Sequence, residues 1–389
     1  MEIKNIVVIG AGLMGMGVVQ VSLQKGYKVT VVDIKDEFID RGVSGLKKGL
    51  DRLEQKGRLG EGVTTASILE KMSTTTDLAA AVKDADLILE AVIENMKIKQ
   101  DVFKTCADNA PDHCIIATNT SSMSVTEIAN ASGKADKCVG IHFFNPVPLM
   151  RLVEIIKGDG TSDETMDIAV AWAEGLPCRG KRYCPRVLKD RPGFIANRMI
   201  APGFVLMNWA FDEAVAKGVT WEELEADTVK ETSPMGFLEL GDYVGHDTYY
   251  HINNYYAKTL SPDFTPGKAY TEMYETKKLG RKVGQGFFDW TQGRPKIDRS
   301  KKAGIVTAEQ LDAIEANEGC RLLEEGVVKN WQVIDDTMMA GFNRPGVMEL
   351  ATQNYEKWST LLAELVAKIG KDYIKPCEFL KSGKFVGMK

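Results

Sequence analysis

The chain has 389 residues, 44% of them hydrophobic and 26% charged, with 49 lysines and arginines against 54 aspartates and glutamates for a net charge of −5. That length exceeds the roughly 250 to 300 residues at which one hydrophobic core stops growing, so more than one domain is expected. The composition excludes a disordered or fibrous chain, and the mild acidity argues against a surface built mainly to hold nucleic acid or anionic lipid.

The N-terminus runs directly into an apolar stretch (MEIKNIVVI) without a leader pattern, and nowhere are there about 18 uninterrupted apolar residues. A soluble, cytoplasmic protein with no membrane partner is therefore expected. Short β-branched runs follow at 6–9, 29–32, 87–92, 115–118, 139–142 and 152–156, alternating with helical patterns. This order predicts an α/β fold of the Rossmann type, a doubly wound parallel sheet with helices on both faces. Residues 35–75 form a long insertion whose central part reads as two helices joined around Gly57 to Gly62. Between Arg41 and Arg58 it holds six basic residues against two acidic ones.

Strand signals stop near residue 190, and a helical pattern takes over from Gly193, punctuated at Ser233-Pro234, at Pro266-Gly267 and between Gly280 and Gly286. A polar, basic stretch, RPKIDRSKKAG at 294–304, marks a second boundary. The expected domains are 1–190, 191–297 and 298–389. The last two resemble each other: FDEAVAK at 211–217 aligns with LEEGVVK at 323–329, Trp221 with Trp331, and SPMGFLEL at 233–240 with NRPGVMEL at 343–350. The spacing is nearly constant, which predicts a degenerate internal repeat.

Gly10, Ala11, Gly12, Leu13, Met14 and Gly15 form G-x-G-x-x-G between a strand and an apolar helix. Glycines there permit a tight turn, close approach of a pyrophosphate to the backbone and close helix packing, and the helix N-terminus offers free N–H donors. The next strand ends in Asp33, where a carboxylate accepts from both ribose hydroxyls and repels a 2′-phosphate, so the expected cofactor is NAD.

Oxidising an alcohol with such a cofactor requires a base for the hydroxyl proton. Of four histidines, His142 alone ends a predicted strand of the nucleotide-binding sheet. A rigid turn, Phe143 to Pro148, leads from it to a strand in which Glu154 sits between Leu152-Val153 and Ile155-Ile156. A carboxylate in that setting needs a partner, and His142 is within reach of the turn; a core histidine with a structural carboxylate is the plainer alternative. Asn119, Thr120, Ser121 and Ser122 close another strand and either face the same crevice or cap the helix starting near Val125.

These residues resemble the L-3-hydroxyacyl-CoA dehydrogenase family, including its 3-hydroxybutyryl-CoA dehydrogenases. The resemblance rests on VIGAGLMG (8–15), EAVIENMKIK (90–99), TNTSSMSVTEIA (118–129), GIHFFNPVPLMRLVEII (140–156), KDRPGFIANR (189–198), PMGFLELGDYVG (234–245) and LGRKVGQGFFDW (279–290). It implies reversible NAD-dependent oxidation of an (S)-3-hydroxyacyl-CoA, as in β-oxidation of fatty acids, with His142 as base and Glu154 as its partner. Ser121 and Asn197 would hold the substrate's oxygen atoms, and Glu94, Lys99, Ser121, Asn145 and Lys282 would line the NAD site. The basic insertion would meet coenzyme A through Lys56, although the family's companion serine is replaced by Gly49. A same-fold dehydrogenase of a free 3-hydroxy acid, such as carnitine or gulonate, is the alternative.

Beside Gly49, a second feature departs from the family. The segment LPCRGKRYCPRVLK (176–189) is longer than usual, and its Cys178 and Cys184 flank basic residues, either as redox-sensitive thiols or as a basic surface excursion with free cysteines. The seven cysteines include no CxxC pair, so neither a metal site nor a disulfide framework is expected. Shorter members of the family stop near Trp290, and the repeat beyond it resembles the second helical copy of the large multifunctional fatty-acid oxidation chains. A second helical copy packed on the first would make the family's homodimer unnecessary, so a monomer with an intrachain pseudo-dimer is expected.

Overall fold

Six apolar runs and two polar ones build a single eight-stranded sheet. Its strands are β1 (Asn5–Ile9), β2 (Lys28–Val32), β3 (Met72–Thr75), β4 (Leu87–Glu90), β5 (Ile115–Thr118), β6 (Cys138–Phe143), β7 (Val153–Ile156) and β8 (Arg186–Val187), in the order β3-β2-β1-β4-β5-β6-β7-β8. The structure, a computed structural model, describes residues 2–230 and 235–389. It comprises two compact units, the first Met1–Ile195 with Gly326–Val328 and Ala340–Asn343, the second Ala196–Glu325, Lys329–Met339 and Arg344–Lys389.

In the first unit, α1 (Leu13–Lys25), α2 (Asp36–Gln55), α3 (Thr65–Leu69), α4 (Leu78–Ala81), α5 (Met96–Asn109), α6 (Val125–Asn130) and α7 (Asp163–Glu174) cover the sheet. Strand periodicity decides which face each residue serves. Ile6, Val8, Leu87 and Leu89 pack with Val18 of α1, Leu46 of α2 and Trp172 of α7. Val7, Ile9 and Ile88 point the other way, onto Phe103 and Cys106 of α5 and Ile128 of α6. Because both faces are covered, β4 to β7 are buried along their whole length and read as continuous apolar runs.

The sheet departs from the expected pattern in three places. β7 runs antiparallel to β6, because the connection from Phe143 to Val153 is too short for a crossover. β3 lies inside the insertion and pairs in parallel with β2; its sequence, MSTT, has the polarity of an edge strand and gives no apolar signal. The two-residue β8 beside β7 carries no signal either. The insertion thus holds the two expected helices, α2 and a five-residue α3, on either side of 57–62, followed by β3. Strand order reverses between β1 and β4, the point where ligands of such sheets bind.

The described elements of the second unit are helical: α8 (Ala196–Ile200), α9 (Gly203–Lys217), α10 (Trp221–Thr228), α11 (Phe237–Val244), α12 (His246–Thr259), α13 (Lys268–Glu275), α14 (Ala308–Glu324), α15 (Trp331–Phe342, whose last residues belong to the first unit), α16 (Met348–Ile369) and α17 (Glu378–Ser382). The Ser233-Pro234 turn, and with it the start of the 233–240 alignment, lies outside the described residues. Beyond that gap the two segments share a device at their helix starts. Glu225 accepts from the N–H groups of Gly236 and Leu238 at 2.9 Å each, and Asp335 accepts from Met348 at 3.0 Å and Glu349 at 2.9 Å. A Cβ on Gly236 would run into Glu225, and one on Gly346 into Asp335. The corresponding 3-10 turns, Pro262–Phe264 and Asp372–Ile374, meet each other: Tyr373 N–H donates to Asp263 at 2.8 Å, and the Phe264 and Tyr373 rings lie edge to face at 4.7 Å. Among the described residues, no helix is long and apolar enough to cross a membrane.

Candidate active site

The glycine turn sits at the switch point, and each glycine is there for a different reason. Gly10 has φ +106°, and a Cβ on it would stand 2.5 Å from the Ala91 carbonyl oxygen. A Cβ on Gly15 would meet the Gly10 carbonyl at 1.9 Å, so helix and turn touch there. Nothing lies within 4 Å of where a Gly12 Cβ would be, at the N-cap of α1, and Leu13 beside it is 74% exposed. The backbone is thus bare where a pyrophosphate would approach, with free α1 N–H groups behind it, and the residues fit a dinucleotide. Ala11 N–H donates to Asp33 Oδ2 at 2.7 Å, which ties the carboxylate ending β2 to the turn. Met14 packs partly buried against the core.

A second cluster forms where β4 and β5 end. Glu90, wholly buried, accepts from Lys99 Nζ at 2.8 Å, from Thr118 Oγ1 at 2.7 Å and from Val92 N–H at 2.7 Å. Lys99 also pairs with Glu94 at 3.2 Å. Glu94 in turn accepts from Ser121 N–H at 2.9 Å and from Thr120 Oγ1 at 3.0 Å. Glu94, Lys99 and Ser121 are therefore brought together, the cation neutralised by two carboxylates. In the sequence Glu90, an acid ending the apolar run LILE, carries the same signal as Glu154 within its strand, whereas Thr118 carries none. The helix near Val125 is capped by Ser124, not by residues 119–122. Asn119 instead accepts from Phe143 N–H at 2.9 Å, joining the end of β5 to that of β6.

His142 and Glu154 stand directly opposite each other in the β6–β7 ladder, and Nδ1 lies 2.8 Å from Glu154 Oε2. The other carboxylate oxygen accepts from Ile195 N–H at 3.0 Å. Phe144 and Phe194 flank the imidazole, with ring centroids 4.4 and 5.7 Å away, and Phe194 holds a left-handed φ of 53°. Positive φ on a bulky residue is uncommon and persists where the surroundings enforce it. His142 is 5% exposed, and its Nε2 has no hydrogen-bond partner among the described residues. With Nδ1 engaged by a carboxylate, Nε2 is the nitrogen able to accept a proton.

Asn145 is exposed in the turn after β6. Asn197, in α8, and Lys282, in the 3-10 turn Arg281–Val283 and ion-paired with Asp247, belong to the second unit. Lys56 is at the C-cap of α2, exposed with Arg41, Lys47, Lys48, Arg52 and Arg58. A Cβ on Gly49 would touch only Gln20, at 3.8 Å.

Comparison with known proteins gives a consistent family. Residues 5–182 match the model of the 3-hydroxyacyl-CoA dehydrogenase NAD binding domain, and residues 193–290 that of the 3-hydroxyacyl-CoA dehydrogenase C-terminal domain. A probable 3-hydroxybutyryl-CoA dehydrogenase of Deinococcus radiodurans is 41% identical over 286 residues, covering 73% of this chain and 99% of the relative. The fatty acid oxidation complex subunit alpha of Psychrobacter cryohalolentis is 31% identical over 408 residues, which spans 96% of this chain and 54% of that protein. The crystal structure of 3-hydroxybutyryl-CoA dehydrogenase from Escherichia coli superposes with a TM-score of 0.85 over 98% of both chains at 24% identity, a likeness of fold that extends through the C-terminal segment.

Proposed function

The chain belongs to the 3-hydroxyacyl-CoA dehydrogenase family, NAD-dependent oxidoreductases, and we propose that His142 and Glu154 are the pair with which it converts (S)-3-hydroxyacyl-CoA reversibly to 3-ketoacyl-CoA. The observation that carries this is the buried Nδ1 contact with Glu154, which leaves Nε2 to receive the 3-hydroxyl proton. Bound NAD supplies the acceptor for the hydride from C3. Glu154 fixes the tautomer and stabilises the imidazolium that forms on proton uptake. Ser121 and Asn197 hold the substrate's oxygen atoms, while Gly10 to Gly15, Asp33, Glu94, Lys99, Asn145 and Lys282 serve the cofactor.

The basic face of α2 receives the CoA tail, with Lys56 among its contacts. Binding energy from that remote polyanion positions C3, so the reacting end needs few contacts of its own. The test compares a CoA ester with the corresponding free 3-keto acid, each with NADH. Replacing Lys47, Lys48, Arg52 and Lys56 together by Ala raises KM for acetoacetyl-CoA and leaves any turnover of free acid unchanged. A preference for free acid, indifferent to these four residues, would instead identify a dehydrogenase of the carnitine or gulonate kind.

The C-terminal segment is a second, degenerate copy of the helical domain. The matched helix-start carboxylates Glu225 and Asp335 and the mutual contact of corresponding turns through Asp263 and Tyr373 support this. Like-on-like contact is the mark of an isologous interface, made here within one chain. A monomer of 42.9 kDa by light scattering is expected; a dimer formed through residues 193–290 would refute it. Seven cysteines, all free thiols, suit a reducing cytoplasmic compartment.

A further inference from the structure

The excursion at 176–189 has a use that its cysteines do not reveal. Burial pushes the Cys178 thiol up and that of Cys184 to about 12, the opposite of what an activated thiol requires. Between them, Arg182 turns inward and is only 4% exposed. Its guanidinium donates to four carbonyl oxygens: Met150 at 2.9 Å, Val147 at 3.1 Å, Pro177 at 2.8 Å and Leu176 at 3.3 Å. It also lies over the Phe143 ring, 5.5 Å from the centroid. No carboxylate pairs with it among the described residues.

A buried cation held only by carbonyls is costly to desolvate, and what it secures is geometry. Val147 and Met150 belong to the turn between His142 and Glu154, the turn that begins with Asn145. That turn also reaches the cofactor helix: Val147 is 2% exposed, and a Cβ on Gly17 of α1 would stand 2.9 Å from it. The same guanidinium thus grips the turn from behind and, through Phe143, the strand residue next to His142. From this arrangement we infer that Arg182 is a positioning residue, setting the 145–150 turn so that Asn145 meets the cofactor and His142 meets the substrate hydroxyl. This rests on the roles proposed above for Asn145 and His142.

The test uses R182M, which keeps bulk and removes every donor, and R182K, whose three donors reach at most three of the four carbonyls. NADH affinity is read by fluorescence titration without substrate, and kcat and KM are read with acetoacetyl-CoA beside the wild type. Misplacement of a site by about 1 Å costs on the order of 100-fold in rate, so R182M is expected to lose roughly 10- to 100-fold in kcat and in NADH affinity. KM for acetoacetyl-CoA stays within about threefold, since the CoA contacts lie elsewhere. R182K recovers part of both losses. A folded R182M with wild-type NADH affinity and kcat overturns the inference, as does a lower melting temperature with neither changed. Should R182M not be recovered folded, R182K decides: a wild-type kcat and NADH affinity overturn the inference, and intermediate values support it. If the wild type itself does not turn over acetoacetyl-CoA, the proposed reaction fails, while the NADH arm still reports on Arg182.

Discussion

Glu154 divides its two oxygens between the His142 imidazole and the backbone at Ile195, accepting from His142 Nδ1 at 2.8 Å and from Ile195 N–H at 3.0 Å. One buried carboxylate therefore sets the tautomer of the imidazole and fastens the backbone at Ile195, the end of the stretch 1–195 of the first unit. In E154Q the amide oxygen can satisfy one of these donors but carries no charge to stabilise an imidazolium. Steady-state assay of that variant is expected to show about a 10- to 100-fold lower kcat with NADH affinity unchanged. Unchanged turnover would make the pair structural only.

Gly12 and Gly10 separate cofactor binding from folding. Around Gly12 a side chain meets open space, so G12V folds with a near wild-type melting temperature and binds NADH at least about tenfold more weakly. Gly10 combines φ +106° with the Ala91 carbonyl 2.5 Å from any Cβ, so G10V is destabilised by more than ~2 kcal/mol in a urea titration. Equal effects of the two substitutions on stability would contradict this division.

Asp86 gives the first unit an acid-sensitive fastening. Burial raises its carboxyl, but the N–H groups of Asn5 and Lys4, at 2.8 Å each, and the His113 side chain outweigh this and hold it below the usual carboxylate range. A carboxyl lowered in the folded state adds stability above its unfolded value, about pH 4, and loses it as pH falls through the folded value. D86N is thus expected to cost about 1 to 2 kcal/mol at pH 7 and progressively less as pH falls below about 4, by urea unfolding across that range. A pH-independent difference would remove the electrostatic explanation.

If the C-terminal segment repeats the helical domain, its helix-start carboxylates are interchangeable in kind. E225A strands three helix-start N–H groups and D335A two, and each should cost roughly 1 to 3 kcal/mol in chemical unfolding. A neutral D335A beside a damaging E225A would argue that the second segment lacks the device.

The parts of the site that were legible in the sequence are those in which a short stretch holds both the chemistry and its geometry. The glycine turn with Asp33 is one. His142 and Glu154 are another, because a turn of fixed length joins two strands whose apolar runs expose an ill-placed acid. The parts without a local signal depend on residues distant in the chain. Thr118 is 28 positions from Glu90, and nothing local distinguishes Asn119 as the acceptor for Phe143 from a helix cap. The antiparallel turn of β7 and the polar edge strand β3 are not legible in the sequence, because alternation of strands and helices suggests a wholly parallel sheet, and MSTT carries no apolar pattern. Arg182 read as part of a basic surface, since only the folded chain turns it onto four carbonyls.

The most direct test of His142 as the base is the turnover of acetoacetyl-CoA with NADH by the wild type and by H142Q, with NADH affinity measured on both. The expected result is ready oxidation of NADH by the wild type and a loss in kcat on the order of 100- to 10,000-fold in H142Q, with NADH bound equally well. Undiminished turnover in H142Q, or no acyl-CoA-dependent oxidation of NADH by the wild type at any chain length, would contradict it.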